Sequence, residues 1–320
     1  MEKLVVQWAD RYGLVDNPVA RRRLTETHLG ELIARCYPCL EADRLETLAG
    51  WFTWAFVIDD LYDRQVSPEV FGPSATTMWM LGALSFPSGH RAPEPQHPPL
   101  AAELAAVWQD LAARQSLAWQ IRFIAHTGTF LDAFVSEARN RAHRRIPPLR
   151  EYRQLRRVSG GIIPALDLLE YAAGLELAPL LHESQQLRTM LNKAADVVVW
   201  VNDVLSLPKE LAVGEVTNGV LVVSREFGCD MAEAVDRVYE KVAEDVHTYL
   251  RAERDLMAMA EAWGGLSERD HAALTALNDG MKAWMRGNLE WGMGSRRYLA
   301  ADGLRLTDNP KLLTPPAEPP

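Results

Sequence analysis

The sequence predicts an all-α protein. Apolar residues recur at helical spacing through most of its 320 residues, and alternating runs bounded by hairpin turns are hard to find. No self-similar repeat of about 20–50 residues points to a solenoid. The first two helices are expected over about 17–36 and 41–64, the second carrying the run WFTWAFVIDDLYDR, and a third over about 67–82. PSGHRAPEPQHPP at 87–99 then reads as a surface connection, too short to separate domains. Helices over about 99–114, 116–144, 149–158 and 162–174 follow, the last two parted by Gly160-Gly161. The next two, about 184–210 and 217–227, contain the β-branched runs VVVWV (197–201) and VLVV (220–223), which sit inside longer helical patterns and read as buried helix turns. Helices over about 230–262 and 267–299 complete the set. After Tyr298 the tail ends in TPPAEPP, which cannot form helix and is expected to fray or to strap the surface. One domain is therefore expected over residues 1–302, with a Pro-rich tail at 303–320. A single bundle of about ten to twelve helices is large enough to hold a central apolar cavity.

Composition narrows the function classes. The chain is 48% hydrophobic and 24% charged, an ordinary globular balance, and 34 Lys and Arg against 43 Asp and Glu give a net charge of −9. That sign offers no general footprint for nucleic acid or an anionic membrane surface, so an anionic substrate would need basic side chains or metal cations gathered at one point. No leader-like segment opens the chain and no window approaches about 18 consecutive apolar residues, so a cytoplasmic protein without membrane insertion is expected. Cys36, Cys39 and Cys229 are too few for a disulfide framework. Cys36-Tyr-Pro-Cys39 has CxxC spacing, but no second pair, histidine cluster or βαβ context completes a metal or redox site.

The first chemical signal closes the run at 51–64, which is apolar and aromatic until Asp59, Asp60 and Asp63. On a helix Asp59 and Asp63 lie one above the other with Asp60 adjacent. Like charges so spaced repel, and they oppose the helix dipole near its C-terminus. A hard divalent cation would compensate them; the bland alternative is a solvated helix end. Phe52 and Phe56 share the face of Asp59 and would put aromatic rings beneath the carboxylates, either as core packing or to face a cation.

The second signal is Asn-Asp-Val-Leu-Ser-Leu-Pro-Lys-Glu at 202–210. Asn202, Ser206 and Glu210 follow i, i+4, i+8 spacing and align an amide oxygen, a hydroxyl and a carboxylate on one helix face, a set able to hold one magnesium ion. Pro208 within the motif removes a backbone hydrogen bond and tends to kink the helix, which makes Glu210 the least secure of the three. The pattern NDxxSxxKE together with an upstream DDxxD resembles the signature of bacterial class I terpene synthases. The resemblance covers almost the whole chain. The family has an arginine 46 residues before the NSE asparagine, and counting back from Asn202 reaches Arg156. Ser159 then matches the family's linker position, where some relatives carry aspartate, and Gly160 its effector position. Lys209 matches the lysine beside the NSE glutamate, and Arg297-Tyr298 resembles the C-terminal RY pair.

The resemblance implies a class I terpene synthase-type helical bundle that ionises a linear isoprenyl diphosphate and cyclises the cation. It implies three magnesium ions, two held by Asp59 with Asp60 or Asp63 and one by Asn202, Ser206 and Glu210. Arg156, Lys209, Arg297 and Tyr298 would grip the diphosphate, Gly160 would turn a carbonyl toward the substrate, and Phe52, Phe56 and Trp291 would face the cation. Farnesyl diphosphate and a cyclic sesquiterpene are the default expectation, with geranylgeranyl diphosphate as the alternative. A chain-elongating prenyltransferase and a noncatalytic helical binding protein are the remaining readings. A homodimer is compatible with the resemblance.

Overall fold

The computed structural model describes residues 1–62, 73–84, 98–298, 306 and 309–313. Among them the chain forms fourteen α-helices and no strand. In order they are α1 (Glu2–Arg11), α2 (Pro18–Thr27), α3 (Leu29–Cys36), α4 (Leu45–Tyr62), α5 (Pro73–Ala83), α6 (Pro99–Arg114) and α7 (Leu117–Ala142). The second half contains α8 (Leu149–Ser159), α9 (Ile162–Ala173), α10 (Pro179–His182), α11 (Gln185–Val213), α12 (Gly219–Phe227), α13 (Met231–Ala262) and α14 (Glu268–Gly294). No helix is long and apolar enough to cross a membrane among these residues.

Side-chain caps set many of the starts. Asn17 accepts from the amides of Val19 and Ala20 with Pro18 in the first turn, and Ser116, Ser184, Asn218, Asp230 and Ser267 cap α7, α11, α12, α13 and α14. Each satisfies amide donors that a helix N-terminus leaves unpaired.

The structure departs from the periodicity at its two ends. Helix α1 was not expected; only Val5, Trp8 and Ala9 of its ten residues are fully buried, with Leu4 and Val6 partly so, and it gains definition by packing on α4. The expected helix 17–36 is two helices, because His28 takes a left-handed conformation with φ 55°. Distant side chains bond to the carbonyls at this break: Trp291 Nε1–H donates to Thr27 O (2.9 Å) and to His28 O (3.0 Å), which also accepts the Leu32 amide (3.2 Å), and Ser295 Oγ donates to Thr27 O (3.2 Å). Helix 267–299 ends at Gly294, and a 3-10 turn at Arg296–Tyr298 follows. Asp63 and most of the connection at 87–99 lie outside the described residues. So does most of the tail, yet Leu306, Leu312 and Leu313 are buried in the main core.

Helix α4 is buried almost all round, and α11 packs against α8, α9, α13 and α14, so both are central elements. Val197–Val201 and the valines of 220–223 are buried helix turns, as the sequence implies. One large core joins α1 to α14; a smaller cluster around Tyr152, Trp200 and Val220 packs α8, α11, α12 and α13 together. Between α4 and α11 the core opens into a cavity.

Candidate active site

The cavity has an empty volume of about 1100 Å³, counting the space at its mouth. Its floor and walls carry Phe52, Phe56, Phe130, Trp51, Trp284 and Trp291 beside aliphatic residues. Phe52 stacks on Trp284 with centroids 5.9 Å apart, and Trp291 meets Phe56 (5.8 Å) and Tyr298 (5.7 Å) edge to face. The indole N–H bonds to Thr27 and His28 fix the Trp291 ring, so its face and edge are held against the cavity.

Polar side chains gather at the mouth. Asp59, Asn202, Ser206, Lys209, Glu210, Arg156, Arg297 and Tyr298 all border the same cavity. Two adjacent residues of the 3-10 turn span it: Arg297 Nη2–H donates to Asp59 Oδ2 (3.0 Å), and Asn202 Nδ2–H donates to the Tyr298 hydroxyl (2.7 Å). The acidic motif and the NSE motif, more than 140 residues apart in sequence, are thus joined through consecutive side chains.

The two aspartates differ. Asp59 borders the cavity with its side chain 38% exposed, whereas Asp60 is fully buried and outside the lining. Both Asp60 oxygens are in use: Arg297 donates at 3.0 and 3.3 Å, the Leu306 amide donates at 2.7 Å, and Lys209 Nζ stands 4.0 Å away. Burial alone would lower the affinity of Arg297 for its proton, but Asp60 and Asp59 outweigh it and hold the guanidinium firmly charged. Its Cζ lies 4.8 Å from the centroid of the Phe56 ring.

On the opposite side α11 runs unbroken through Pro208. Ser206 Oγ donates to Glu210 Oε1 at 2.6 Å, one turn on, so the proline does not carry Glu210 off the face. Asn218 Nδ2–H donates to Glu210 Oε2 (2.8 Å) and to the Asp203 carbonyl (2.8 Å). Burial and the neighbouring Asp203 push Glu210 up to about 7, against the pull of Arg156. Arg156 Nη2–H donates to Asn202 Oδ1 (2.9 Å) and its Nε–H to Asp203 Oδ1 (2.8 Å). Arg156 lies in the last turn of α8, whose amide–carbonyl ladder stops where Gly161 adopts φ 67° before α9 begins. Ser159, Gly160 and Gly161 form the cavity wall there. Among the described residues no three His, Cys, Asp or Glu side chains cluster as a metal site. The cavity-facing donors are mixed instead: an amide oxygen, a hydroxyl and carboxylates, all oxygen.

Residues 50–248 match the family described as terpene synthase family 2, C-terminal metal binding. The chain belongs to this family. The terpene synthase is 30% identical to pristinol synthase of Streptomyces pristinaespiralis over 92% of this chain and 78% of that protein. It is 29% identical to (+)-T-muurolol synthase ((2E,6E)-farnesyl diphosphate cyclizing) of Roseiflexus castenholzii, over 93% of this chain and 88% of the relative. Among solved structures, that of an α-eudesmol synthase is similar with a TM-score of 0.81 and 26% identity, covering 90% of this chain and 92% of the other. The relatives are enzymes, which sets aside the noncatalytic reading.

Several residues of the terpene synthase's site carry no sequence signal. Trp284 and Asn288 reach the cavity from α14, Glu215 and Thr217 from the loop after α11, and Glu137 from α7. Only Asp203, adjacent to Asn202, belongs to the quoted motif.

Proposed function

We propose that this terpene synthase ionises a linear isoprenyl diphosphate, farnesyl diphosphate, and cyclises it to a sesquiterpene with release of diphosphate. The observation that carries the reading is an aromatic-walled cavity whose mouth collects Asp59, the Asn202-Ser206-Glu210 face and three cationic side chains. The similarity to a relative named for cyclising farnesyl diphosphate supports the choice of substrate.

Magnesium fits the donor set: Ser206 Oγ and Glu210 Oε1 are 2.6 Å apart, with Asn202 one turn before, and all three present oxygen. Asp59, with Asp63, would hold two ions and Asn202, Ser206 and Glu210 a third. When bound they supply Lewis-acid and electrostatic stabilisation of the leaving diphosphate. Arg156, Lys209, Arg297 and Tyr298 bind and orient that group by donating hydrogen bonds, the arginines through planar forks that match phosphate oxygens. The allylic carbon–oxygen bond then breaks with its electron pair leaving on diphosphate. Phe52, Phe56 and Trp291 present π-faces or edges to the resulting cation, and the aromatic wall limits the water that reaches it. Gly160 contributes its backbone to the wall where the cation forms. The final proton passes to the released diphosphate or to a carbonyl. The enzyme would act in the cytoplasm, and a homodimer is compatible with this function.

The test is incubation of purified protein with ten-, fifteen- and twenty-carbon diphosphates, with magnesium or with chelator, followed by gas chromatography–mass spectrometry and diphosphate assay. A cyclic fifteen-carbon hydrocarbon or alcohol formed only with magnesium, and lost in Asn202→Ala, is expected. Undiminished turnover in chelator or in Asn202→Ala would overturn the reading; preference for the twenty-carbon substrate would overturn the chain length.

A further inference from the structure

Arg141 takes no part in the reaction as described, yet it stands between the two motifs that the reaction needs. It leaves the last turn of α7 with its side chain 14% exposed. Its two terminal nitrogens go to different parts of the chain. Nη2–H donates to the Tyr62 carbonyl in the last turn of α4 (2.9 Å), and Nη1–H donates to Glu215 Oε2 (2.7 Å) in the loop between α11 and α12. Tyr62 is three residues past Asp59, so the bonded carbonyl belongs to the turn that carries the cavity-facing aspartate. Glu215 is tied to the other motif: its amide donates to the Glu210 carbonyl (3.0 Å), where α11 closes through Gly214 at φ 76°. Its Oε1 accepts the amides of Val216 (2.8 Å) and Thr217 (2.6 Å), which orients the carboxylate within its own loop.

The cavity separates α4 from α11, so the distance between Asp59 and the Asn202-Ser206-Glu210 face is set by whatever bridges the two helices. Arg297 and Tyr298 form one bridge. Arg141 and Glu215 form a second, from a different helix and through different residues. A guanidinium suits the task, because its planar fork presents separate donors to two acceptors at once. We propose that Arg141 is a positioning residue that, with Glu215, holds the acidic motif and the NSE motif at the separation at which both reach one diphosphate through their metal ions. This deepens the proposed cyclisation and rests on it. The consequence is for how much magnesium the mouth requires, since ions shared across a gap bind weakly when the donors on its two sides drift apart. Arg44 supplies the comparison. Its side chain, 13% exposed, makes the same two kinds of bond, to the Tyr171 carbonyl near the end of α9 (2.6 Å) and to Glu41 (2.8 Å), but outside the cavity lining.

The experiment compares wild type, Arg141→Gln, Glu215→Gln, the double variant Arg141→Gln/Glu215→Gln, and Arg44→Gln. Magnesium chloride is titrated at a fixed concentration of inorganic diphosphate, and the rise in melting temperature gives the magnesium concentration for half the effect without any turnover. Kinetics with farnesyl diphosphate give kcat at saturating magnesium. Arg141→Gln and Arg44→Gln should both melt below wild type before any ligand is added. Only Arg141→Gln and Glu215→Gln should need more magnesium, by about tenfold, the lower end of what a hydrogen bond to a charged group is worth. At saturating magnesium their kcat should stay within about threefold of wild type. Because both singles open the same bridge, the double should need no more magnesium than the poorer single. Glu215→Gln carries the prediction should Arg141→Gln not fold. An unchanged magnesium requirement in the Arg141 and Glu215 variants, the same increase in Arg44→Gln, or increases that multiply in the double would each overturn the proposal while leaving the cyclase reading intact. A wild type neither stabilised by magnesium with diphosphate nor active on isoprenyl diphosphates would remove both.

Discussion

Asp59 and Asp60 are neighbours in one motif, and replacing each by asparagine should have opposite consequences. Asn keeps the shape of Asp60 but removes the charge and turns an N–H group toward donors, Arg297 at 3.0 and 3.3 Å or the Leu306 amide at 2.7 Å. Removing one partner of a buried ion pair costs about 3–5 kcal/mol. Asp59 still accepts from Arg297, which places the cost near the lower end, about 3 kcal/mol. With about 2.1 cal/mol/K of unfolding entropy per residue, a chain of 320 residues gains about 0.7 kcal/mol/K. Asp60→Asn should therefore melt about 4–5 °C below wild type. Asp59 is partly solvated, so Asp59→Asn should lose about 0–1 kcal/mol and melt within about 1–2 °C of wild type. Its activity should nonetheless fall by about 100-fold or more, because the cavity-facing carboxylate is the one removed. Differential scanning fluorimetry and a diphosphate-release assay on the two variants decide the matter. If Asp60→Asn melts with wild type, or if Asp59→Asn is the less stable of the two, the division between an anchoring and a cavity-facing aspartate is wrong.

Three other substitutions test different parts of the wall. A Cβ on Gly160 would lie 2.5 Å from Val199 Cγ1 and 3.2 Å from the Arg156 carbonyl, so Gly160→Ala should cost about 1–3 kcal/mol and alter the product ratio; an unchanged product profile would show that the wall does not shape the cation. Burial pushes Glu137 up to about 8 from an ordinary 4.5, with Glu215 adding to it and Arg156, Ser159 and Arg141 opposing. The folded state thus holds this proton more tightly, and the stability it contributes is full below about pH 4.5 and is lost as pH rises through about 8. The melting temperature of Glu137→Gln should accordingly gain on that of wild type between pH 5 and pH 9, and a difference independent of pH would refute the assignment. Trp291→Phe removes the indole N–H from the Thr27 and His28 carbonyls, which keep Ser295 and the Leu32 amide as donors, so it should cost about 0.5–1.5 kcal/mol or about 1–2 °C, and an unchanged melt would show that the indole bonds do not hold the break.

What could be read from the sequence was whatever is local in the chain. The face of Asn202, Ser206 and Glu210 follows from helical spacing, and the structure keeps it even across Pro208. The long helices follow from apolar periodicity, and the β-branched run at 197–201 is helical because α11 is buried at that turn. What could not be read depends on distant partners. The break at His28 is stabilised by Trp291 and Ser295, more than 260 residues away, and nothing near residue 28 announces them. Glu137 stands 22 residues before Ser159 on another helix, with no spacing rule connecting the two. Asp60 reads from the sequence as a support for Asp59, because the arginine and the Leu306 amide that occupy its oxygens lie more than 230 residues away.

That one-residue step has a use on both sides of the mouth. Successive residues on a helix point about 100° apart, so one can face the cavity while the next is directed into the protein. In Asp59-Asp60 the first residue borders the cavity and the second, fully buried, grips Arg297. In Asn202-Asp203 the first again borders the cavity and the second, also fully buried, grips Arg156. Each motif therefore pairs a cavity-facing oxygen donor with an anchor for an arginine at the mouth. The arrangement resolves the difficulty posed by a net charge of −9. Positive charge is concentrated where an anion would sit, and buried carboxylates behind it hold the guanidinium groups in place. A fixed guanidinium loses less freedom when it meets an anion than a solvated one does, so anchoring favours binding as well as folding.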